Sequence, residues 1–355
     1  MSDVSQEVTS SAIPAFQYAF GVPTVTGRLK VECEDFVVHE ELGFELDGEG
    51  EHVCLHIEKR DLNTADVAKT LQKFAGINPT GIGYCGLKDR RAITRQWFSV
   101  HCGVHQMPDW TQLESEQLRV IECKRHRKKL RVGAHRANYF SINIRELSCD
   151  PVELEERLRK IQSNGFPNYF GEQRFGYNGS NINAAHAMFE RLQRRRSRKF
   201  KARGKDSFLL SASRALLFNK VLSERIQGAY WNQALEGDVL QLDGRNSVFN
   251  QALDDSLRSR VAAGELHPTG PLHGVGGMQP DGRALEIESA TLATEPHLVE
   301  GLEGISMAAA RRALRALAID FSWQINSAEL RLEFGLRRGS YATSLIREIV
   351  QATTR

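Results

Sequence analysis

Hydrophobic and polar residues alternate in several short segments of this chain. Such alternation predicts strands with one buried face. Four segments in the first 150 residues show it: "GRLKVECEDFVVHE", "EHVCLHIEK", "RQWFSVHC" and "NYFSINIREL". In the last of them Phe140, Ile142 and Ile144 fall on the same face. Together the four segments predict a mainly antiparallel sheet.

Two segments have hydrophobic residues at helical spacing instead. The segment "NTADVAKTLQKFAG" has Asn63 or Thr64 as its N-cap and Gly76 as its stop. The segment "CDPVELEERLRKIQSNG" opens with Asp-Pro, carries early glutamates at the positive end of the helix, and closes with Asn-Gly. Strands and helices together predict an α+β domain in the first part of the chain.

The character of the chain changes twice after residue 165. Residues from about 165 to 310 are richer in helix signals, such as "SASRALLFNKVLSERI". The final segment, "SAELRLEFGLRRGSYATSLIREIV", returns to alternation and then to a helix. A last strand of the first domain's type predicts that the middle region is inserted into that domain.

Composition adds limits on the class of protein. The 355 residues are 41% hydrophobic and 26% charged, which is ordinary for a globular protein with room for two domains. Six cysteines lie in the first half, and because none forms a C-x-x-C pair we expect neither a zinc site nor a disulfide framework. The chain has no secretory signal and no stretch of membrane-spanning length. We therefore expect a cytoplasmic protein with reduced thiols and no membrane partner.

Positive charge is concentrated although the net charge is only +3. The run "KRHRKKLRVGAHR" (Lys124–Arg136) holds seven Lys or Arg residues, and "RLQRRRSRKFKARGK" (Arg191–Lys205) holds nine. Such density attracts polyanions, because each phosphate contact releases counterions. Either run alone is equally consistent with a solvated face. One run in each predicted domain favours a nucleic-acid cleft between the domains.

The segment "GIGYCGLKDRRAITRQWFS" (Gly81–Ser99) places one carboxylate, Asp89, beside Lys88, Arg90 and Arg91. Neighbouring cations favour the ionised form of a carboxylate. An ionised carboxylate serves as a nucleophile, a metal ligand or a structural ion pair. A metal site would recruit further acids or histidines, and this segment supplies none. Local spacing alone favours a structural turn aspartate over a catalytic one.

The same segment resembles the catalytic segment of the TruD family of tRNA pseudouridine synthases. Four further segments resemble family segments in the expected order, and the resemblance extends from about residue 27 to residue 350. They are "EDFVVHEELGFELDGEGEH", "GAHRANYFSINIRE", "NYFGEQRFG" and "GSYATSLIRE". The chain departs from the family at Cys33, where proline is frequent, and at Tyr341, where phenylalanine is frequent.

The resemblance implies a two-lobed α+β fold. A mainly antiparallel, mixed-sheet pseudouridine synthase domain (residues 25–162 and 311–355) would contain an inserted α+β TRUD domain (residues 163–310), after an N-terminal lead-in (residues 1–24). It also implies conversion of uridine 13 in the D arm of tRNA, chiefly a glutamate tRNA, by cleavage of the C1′–N1 bond, base rotation and rejoining through C5. This isomerisation needs no cofactor and no metal, and the expected state is a monomer with tRNA as partner.

The resemblance assigns site residues as well. Asp89 would be the catalytic carboxylate, with its bonding step left open between base adduct, sugar adduct and 2′ deprotonation. The target base must be flipped out of its stack, and aromatic faces then replace the lost stacking. Phe36, Asn138 and Tyr341 would bind the uracil, although pattern alone favours a core position for Phe36. Supporting candidates for the acid, the pocket or the RNA are Lys30, Lys88, Phe140, Gln173, Arg174 and Arg347.

The sequence leaves two rival functions open. A non-catalytic RNA-binding or RNA-folding protein would keep the RNA surface without the chemistry, although an intact Asp89 motif speaks against it. A metal-dependent nuclease is disfavoured because acids do not cluster in the sequence.

Overall fold

The computed structural model describes residues 13–103, 108–194, 200, 202, 204–326 and 328–354. Within these residues the strands are β1 Thr26–Leu29, β2 Phe36–Leu42, β3 His52–Arg60, β4 Ile82–Tyr84, β5 Ile93–His101, β6 Leu118–His126, β7 His135–Ser148, β8 Phe166–Pro167, β9 Val239–Leu242, β10 Val248–Asn250, β11 Leu266–Leu272, β12 Ala310–Ala313, β13 Arg315–Ala316, β14 Ile319–Ile325, β15 Glu329–Arg337 and β16 Gln351–Thr354. The α-helices are α1 Thr64–Ala75, α2 Pro151–Asn164, α3 Ser180–Gln193, α4 Lys205–Gln227, α5 Asp255–Ala262, α6 Gly282–Leu292, α7 Pro296–Gly304 and α8 Ala342–Ile349.

Contacts divide the described residues into two compact units. The sheet unit comprises residues 23–162, 318–342 and 349–354, and the helical unit comprises residues 13–22, 163–317 and 343–348. Both units mix helices and strands, so the predicted α+β class is confirmed. The domain boundaries expected from the sequence stay predictions.

The sheet unit is built on one ten-stranded sheet. Its main path runs β14-β15-β7-β2-β5-β3-β6, with β1 added to β7, β16 to β1 and β4 to β5. The β2–β5 and β1–β16 pairs are parallel and the others are antiparallel, as predicted. β15 pairs with β7 from Glu329 opposite Arg145 to Arg337 opposite Ala137. The final alternating segment therefore shares a sheet with the first predicted strands.

Helix α1 covers the part of this sheet formed by β3 and β5. It begins after Asn63 and ends at Gly76, whose φ of 64° is the left-handed conformation that glycine adopts most easily. Val67 and Leu71 are at most 1% exposed and belong to one core cluster with Leu55 of β3. Each such buried side chain contributes about 1.5–3 kcal/mol. The predicted helix thus positions the segment that follows it, which leads to Asp89.

The helical unit has a separate core between α3, α4 and α7, where Phe189, Leu216 and Leu302 are at most 2% exposed. Its strands form a β10-β9-β11-β12 sheet and a β13-β8 pair. Residues 13–22, expected as a loose lead-in, pack in part against this unit. The ring of Phe16 stacks on Tyr169 at 5.4 Å between centroids. The apolar rings in this segment explain the difference, because burying them against the unit is favourable.

Candidate active site

One face of the ten-stranded sheet carries both aromatic and polar side chains. Side chains alternate along β2, so Phe36, Val38 and Glu40 point to the same face. Directly paired residues share a face as well. Val38 pairs with Phe140 of β7, and Glu40 pairs with Asn138. The register therefore brings Phe36 onto one surface with Phe140 and Asn138, two predicted site residues that are distant from it in the sequence.

The aromatic part of this face is a continuous row of rings. The ring of Phe36 lies edge-on to that of Phe140 at 6.1 Å, and Phe140 stacks on Phe334 of β15 at 5.2 Å. Phe36 is only 3% exposed. It is a core residue, as the pattern alone favoured. Its ring also makes a cation–π contact with Lys30, whose ammonium lies 4.1 Å from the ring centroid.

Asp89 lies in the loop between β4 and β5. Its Oδ2 is 2.9 Å from Nζ of Lys30, and the side chains are 41% and 19% exposed respectively. Lys30 follows β1 and has a φ of 55°, a strained left-handed conformation for a residue with a Cβ. The Lys30 ammonium thus joins the accessible carboxylate of Asp89 to the ring of Phe36.

The cations adjacent to Asp89 in sequence bind other groups. Lys88 forms a buried ion pair with Glu40. Arg90 lies 3.3 Å from a carboxylate oxygen of Asp61, and Arg91 donates to the main-chain oxygen of Val31 at 2.7 Å. The ion pair of the Asp89 carboxylate is made with Lys30, which the sequence predicted only as a supporting residue.

Partly buried hydrogen bonds hold the main chain of this loop. Lys59 Nζ donates to the main-chain oxygens of Asp89 at 2.7 Å and Leu62 at 2.6 Å. The hydroxyl of Thr64 accepts from the main-chain N–H of Lys88 at 2.9 Å. Lys59 was not among the residues predicted for the site. Its signal was a charged residue in the alternating segment "EHVCLHIEK", on the face shared with hydrophobic residues.

Asn138 and Tyr341 are the other two predicted base-binding residues. The Oδ1 atom of Asn138 is buried and accepts no hydrogen bond from the described part of the chain. Such an unsatisfied oxygen costs about 1–3 kcal/mol, which an incoming N–H donor would recover. Tyr341 is half-buried in the turn between β15 and α8.

The remaining candidates lie in the helical unit. Gln173 is exposed. Arg174 donates to the hydroxyl of Ser211 at 3.3 Å. Arg347 donates to the main-chain oxygen of Gln17 at 3.2 Å, and its guanidinium lies 3.5 Å from the ring centroid of Tyr18. The functional roles of all three stay predictions.

The basic runs are only partly described. Lys124–Arg136 covers the end of β6, the following loop and the start of β7, and Lys128 and Arg131 are exposed there. In Arg191–Lys205, residues 195–199, 201 and 203 lie outside the described residues, and they include six of the nine Lys or Arg residues of the run. Across the described ranges no three His, Cys, Asp or Glu side chains are grouped to hold a metal ion. In the same part of the chain, no helix is both long and apolar enough to cross a membrane.

Comparison with known proteins gives concordant matches. A family model described as tRNA pseudouridine synthase D (TruD) matches residues 12–200 and 202–349. The tRNA pseudouridine synthase D of Aeromonas hydrophila is 41% identical over 336 residues, which is 94% of each chain. That of Methylococcus capsulatus is 42% identical over 337 residues, covering 94% of this chain and 93% of its own. A crystal structure from Methanosarcina mazei, of a protein assigned as a tRNA pseudouridine synthase D, shares the fold. It has a TM-score of 0.69 at 22% identity and covers 95% of this chain and 96% of its own.

Proposed function

The chain belongs to the TruD family of tRNA pseudouridine synthases, and we propose that it converts uridine 13 in the D arm of tRNA to pseudouridine. A glutamate tRNA is the chief substrate, and Asp89 is the catalytic carboxylate. The observation that carries this proposal is the accessible Asp89 carboxylate, paired with Lys30 at 2.9 Å beside the row of aromatic rings.

The reaction breaks the C1′–N1 bond, turns the detached uracil and forms the C1′–C5 bond. The proton on C5 is lost and N1 gains one, so atoms and charge balance without a cofactor. Asp89 is suited to act at the ribose because its side chain is 41% exposed. The Lys30 ammonium, 2.9 Å from Oδ2, holds the carboxylate in position until the sugar is in place.

The uracil must leave the RNA stack to reach Asp89. Asn138 is suited to bind it, because its buried Oδ1 lacks a donor within the described residues and can accept from uracil N3–H. Tyr341 supplies an aromatic face that replaces stacking lost from the RNA. The exposed basic side chains of the loop before β7 would bind phosphates, which adds affinity without sequence preference.

Asp89→Asn tests the proposal, because it removes the charge and keeps the shape. The substrate is unmodified glutamate tRNA carrying tritium at uracil C5, and the readouts are tritium release and tRNA binding. We expect parental binding and no tritium release above background. The control is Asp61→Asn, which removes another exposed carboxylate near this loop and is expected to react like the parent protein. Parental tritium release by Asp89→Asn would refute the role of Asp89.

The same assay tests the position and the rival functions. A transcript with cytidine in place of uridine 13 is expected to release no tritium. Binding of the normal transcript by the parent protein without tritium release would favour the non-catalytic RNA-binding function. Cut RNA, or activity abolished by a chelator, would favour the nuclease.

A further inference from the structure

Lys59, near the end of β3, is among the largest fully buried side chains of the described residues, with 0% exposure. Lysine is almost never fully buried, because removing its ammonium from water costs free energy that strong hydrogen bonds must offset. Here the ammonium donates to two main-chain oxygens, those of Asp89 and Leu62. Bonds from a charged donor are about twice as strong as neutral ones. One of these two oxygens belongs to the proposed catalytic residue.

We infer that Lys59 is a positioning residue for pseudouridine formation, which fixes the main chain of Asp89 so that its carboxylate stays in the place where it reacts. The inference rests on the proposed role of Asp89. It assigns to Lys59 no contact with the RNA.

The geometry makes the carboxylate depend on this bond. The Asp89 side chain is exposed, and within the described residues its carboxylate forms an ion pair with Lys30 alone. The main-chain oxygen that Lys59 binds is separated from the carboxylate by only the Cα and Cβ atoms and the carbonyl carbon. Releasing this oxygen lets the loop carry the carboxylate away from the sugar. A displacement of about 1 Å at a reacting group costs about 100-fold in rate.

The surroundings of Lys59 also make its charge responsive to pH. Burial lowers the pKa of the Lys59 ammonium to about 8, and Lys88 acts in the same direction, while Asp89, Cys33 and Asp61 oppose it. The residues paired with Lys59 across the sheet, Thr94 and Leu118, carry no charge. Raising the pH through about 8 therefore removes the positive charge and weakens both hydrogen bonds.

Activity and stability then respond to pH in opposite directions. The folded-state pKa of Lys59 lies below the ordinary value of 10.5. Between these two values the unfolded chain binds more protons, so the contribution of Lys59 to stability rises with pH. The turnover number, in contrast, is expected to fall as the pH rises through the folded-state pKa of about 8, because Lys59 loses its charge there. A purely structural lysine would not lower kcat under conditions that stabilise the fold.

Lys59→Met is the test, because methionine has a similar length and cannot donate. We expect kcat to fall about 100-fold with KM for tRNA unchanged. The comparison is made below the pH at which uracil N3 ionises. In that range the kcat of the parent protein is expected to fall above about pH 8, and the kcat of the variant is expected not to fall. Leu55→Ala, on the same strand and face, is the control for lost stability. Urea unfolding of both variants shows whether they are comparably destabilised.

The outcomes separate this inference from the proposed function. Tritium release by Asp89→Asn would overturn the proposed function and the inference with it. If Asp89→Asn is inactive but Lys59→Met keeps parental kcat, or loses no more than Leu55→Ala, only the inference fails.

Discussion

The main chain of Lys30 has a φ of 55°, and a left-handed conformation costs a residue with a Cβ about 1–2 kcal/mol. Glycine adopts this conformation without that cost. The chain nevertheless places at this position the lysine whose ammonium binds Asp89 and lies over Phe36. Strain of this kind persists where the surrounding contacts enforce it, commonly at active sites.

Replacing Lys30 separates the strain from the charge. Lys30→Ala and Lys30→Gly both remove the ammonium, so both are expected to lower kcat for tritium release by about tenfold or more. In urea unfolding, the free energy of unfolding of Lys30→Gly should exceed that of Lys30→Ala by about 1 kcal/mol, because only alanine keeps the Cβ that strains this conformation. Lys73→Ala, at an exposed position of α1, is the control for loss of a lysine. Equal stability of the two Lys30 variants, or parental kcat in either, would contradict this account.

At the scale of elements, the buried Lys88–Glu40 ion pair attaches the β4–β5 loop to β2. The side chains are 6% and 0% exposed. Glu40 Oε1 also accepts from the main-chain N–H of Trp97 in β5 at 3.0 Å. Removing one member of a buried pair leaves an uncompensated charge, which costs about 3–5 kcal/mol.

We therefore expect Lys88→Met alone to lose about 3–5 kcal/mol of unfolding free energy. Adding Glu40→Gln should restore part of the loss, because the amide is neutral and still accepts from Trp97. A double-mutant cycle by urea unfolding measures this coupling. Arg127→Met breaks an ion pair with Glu49 whose side chains are 65% and 64% exposed, and it should cost less than about 1 kcal/mol. A double variant less stable than Lys88→Met would show that the lost charge is not the cause.

The same elements show what local patterns predict. Alternation identified β3, β5 and β7, and helical spacing with Gly76 identified α1, because these signals depend on neighbouring residues. Alternation continues through "GRLKVECEDFVVHE", but the structure divides that segment into β1 and β2 around a short turn, Cys33–Asp35. There the carboxylate of Asp35 is 1% exposed and binds Arg145 of β7 at 2.8 Å. A partner 110 positions away leaves no local signal.

The site was predictable to a similar extent. The family resemblance, and not local spacing, pointed to the carboxylate of Asp89 and to the aromatic residues, and their roles stay predictions. Spacing suggested that the adjacent cations pair with the carboxylate, whereas the fold brings Lys30 to Asp89 and pairs Lys88 with Glu40. The charged residue on the hydrophobic face of "EHVCLHIEK" did not by itself point to Lys59, because the same signal is equally consistent with an irregular strand. Partners that are distant in the sequence, and not the nearest residues along the chain, make these contacts.

At the scale of the whole molecule, a net charge of +3 is too small to account for attraction to a tRNA. The field near the RNA depends instead on where the cations are placed. The loop before β7 carries Lys128 and Arg131 with exposed side chains. Arg127 of the same loop is bound to Glu49 and contributes less. We expect the first two residues to contact phosphates.

Lys128→Gln with Arg131→Gln tests this placement against net charge. Each lost phosphate contact should make the dependence of log K on log salt shallower by about 1, so the double variant should change the slope by about 2. Its kcat at saturating tRNA should stay parental, since neither residue touches Asp89. The control, Lys73→Gln with Arg258→Gln, removes two exposed cations of α1 and α5 and gives the same net charge. If the control changed the slope equally, total charge rather than the loop would govern binding. A change confined to the loop variant would show that affinity comes from a local arrangement of cations, which net charge conceals.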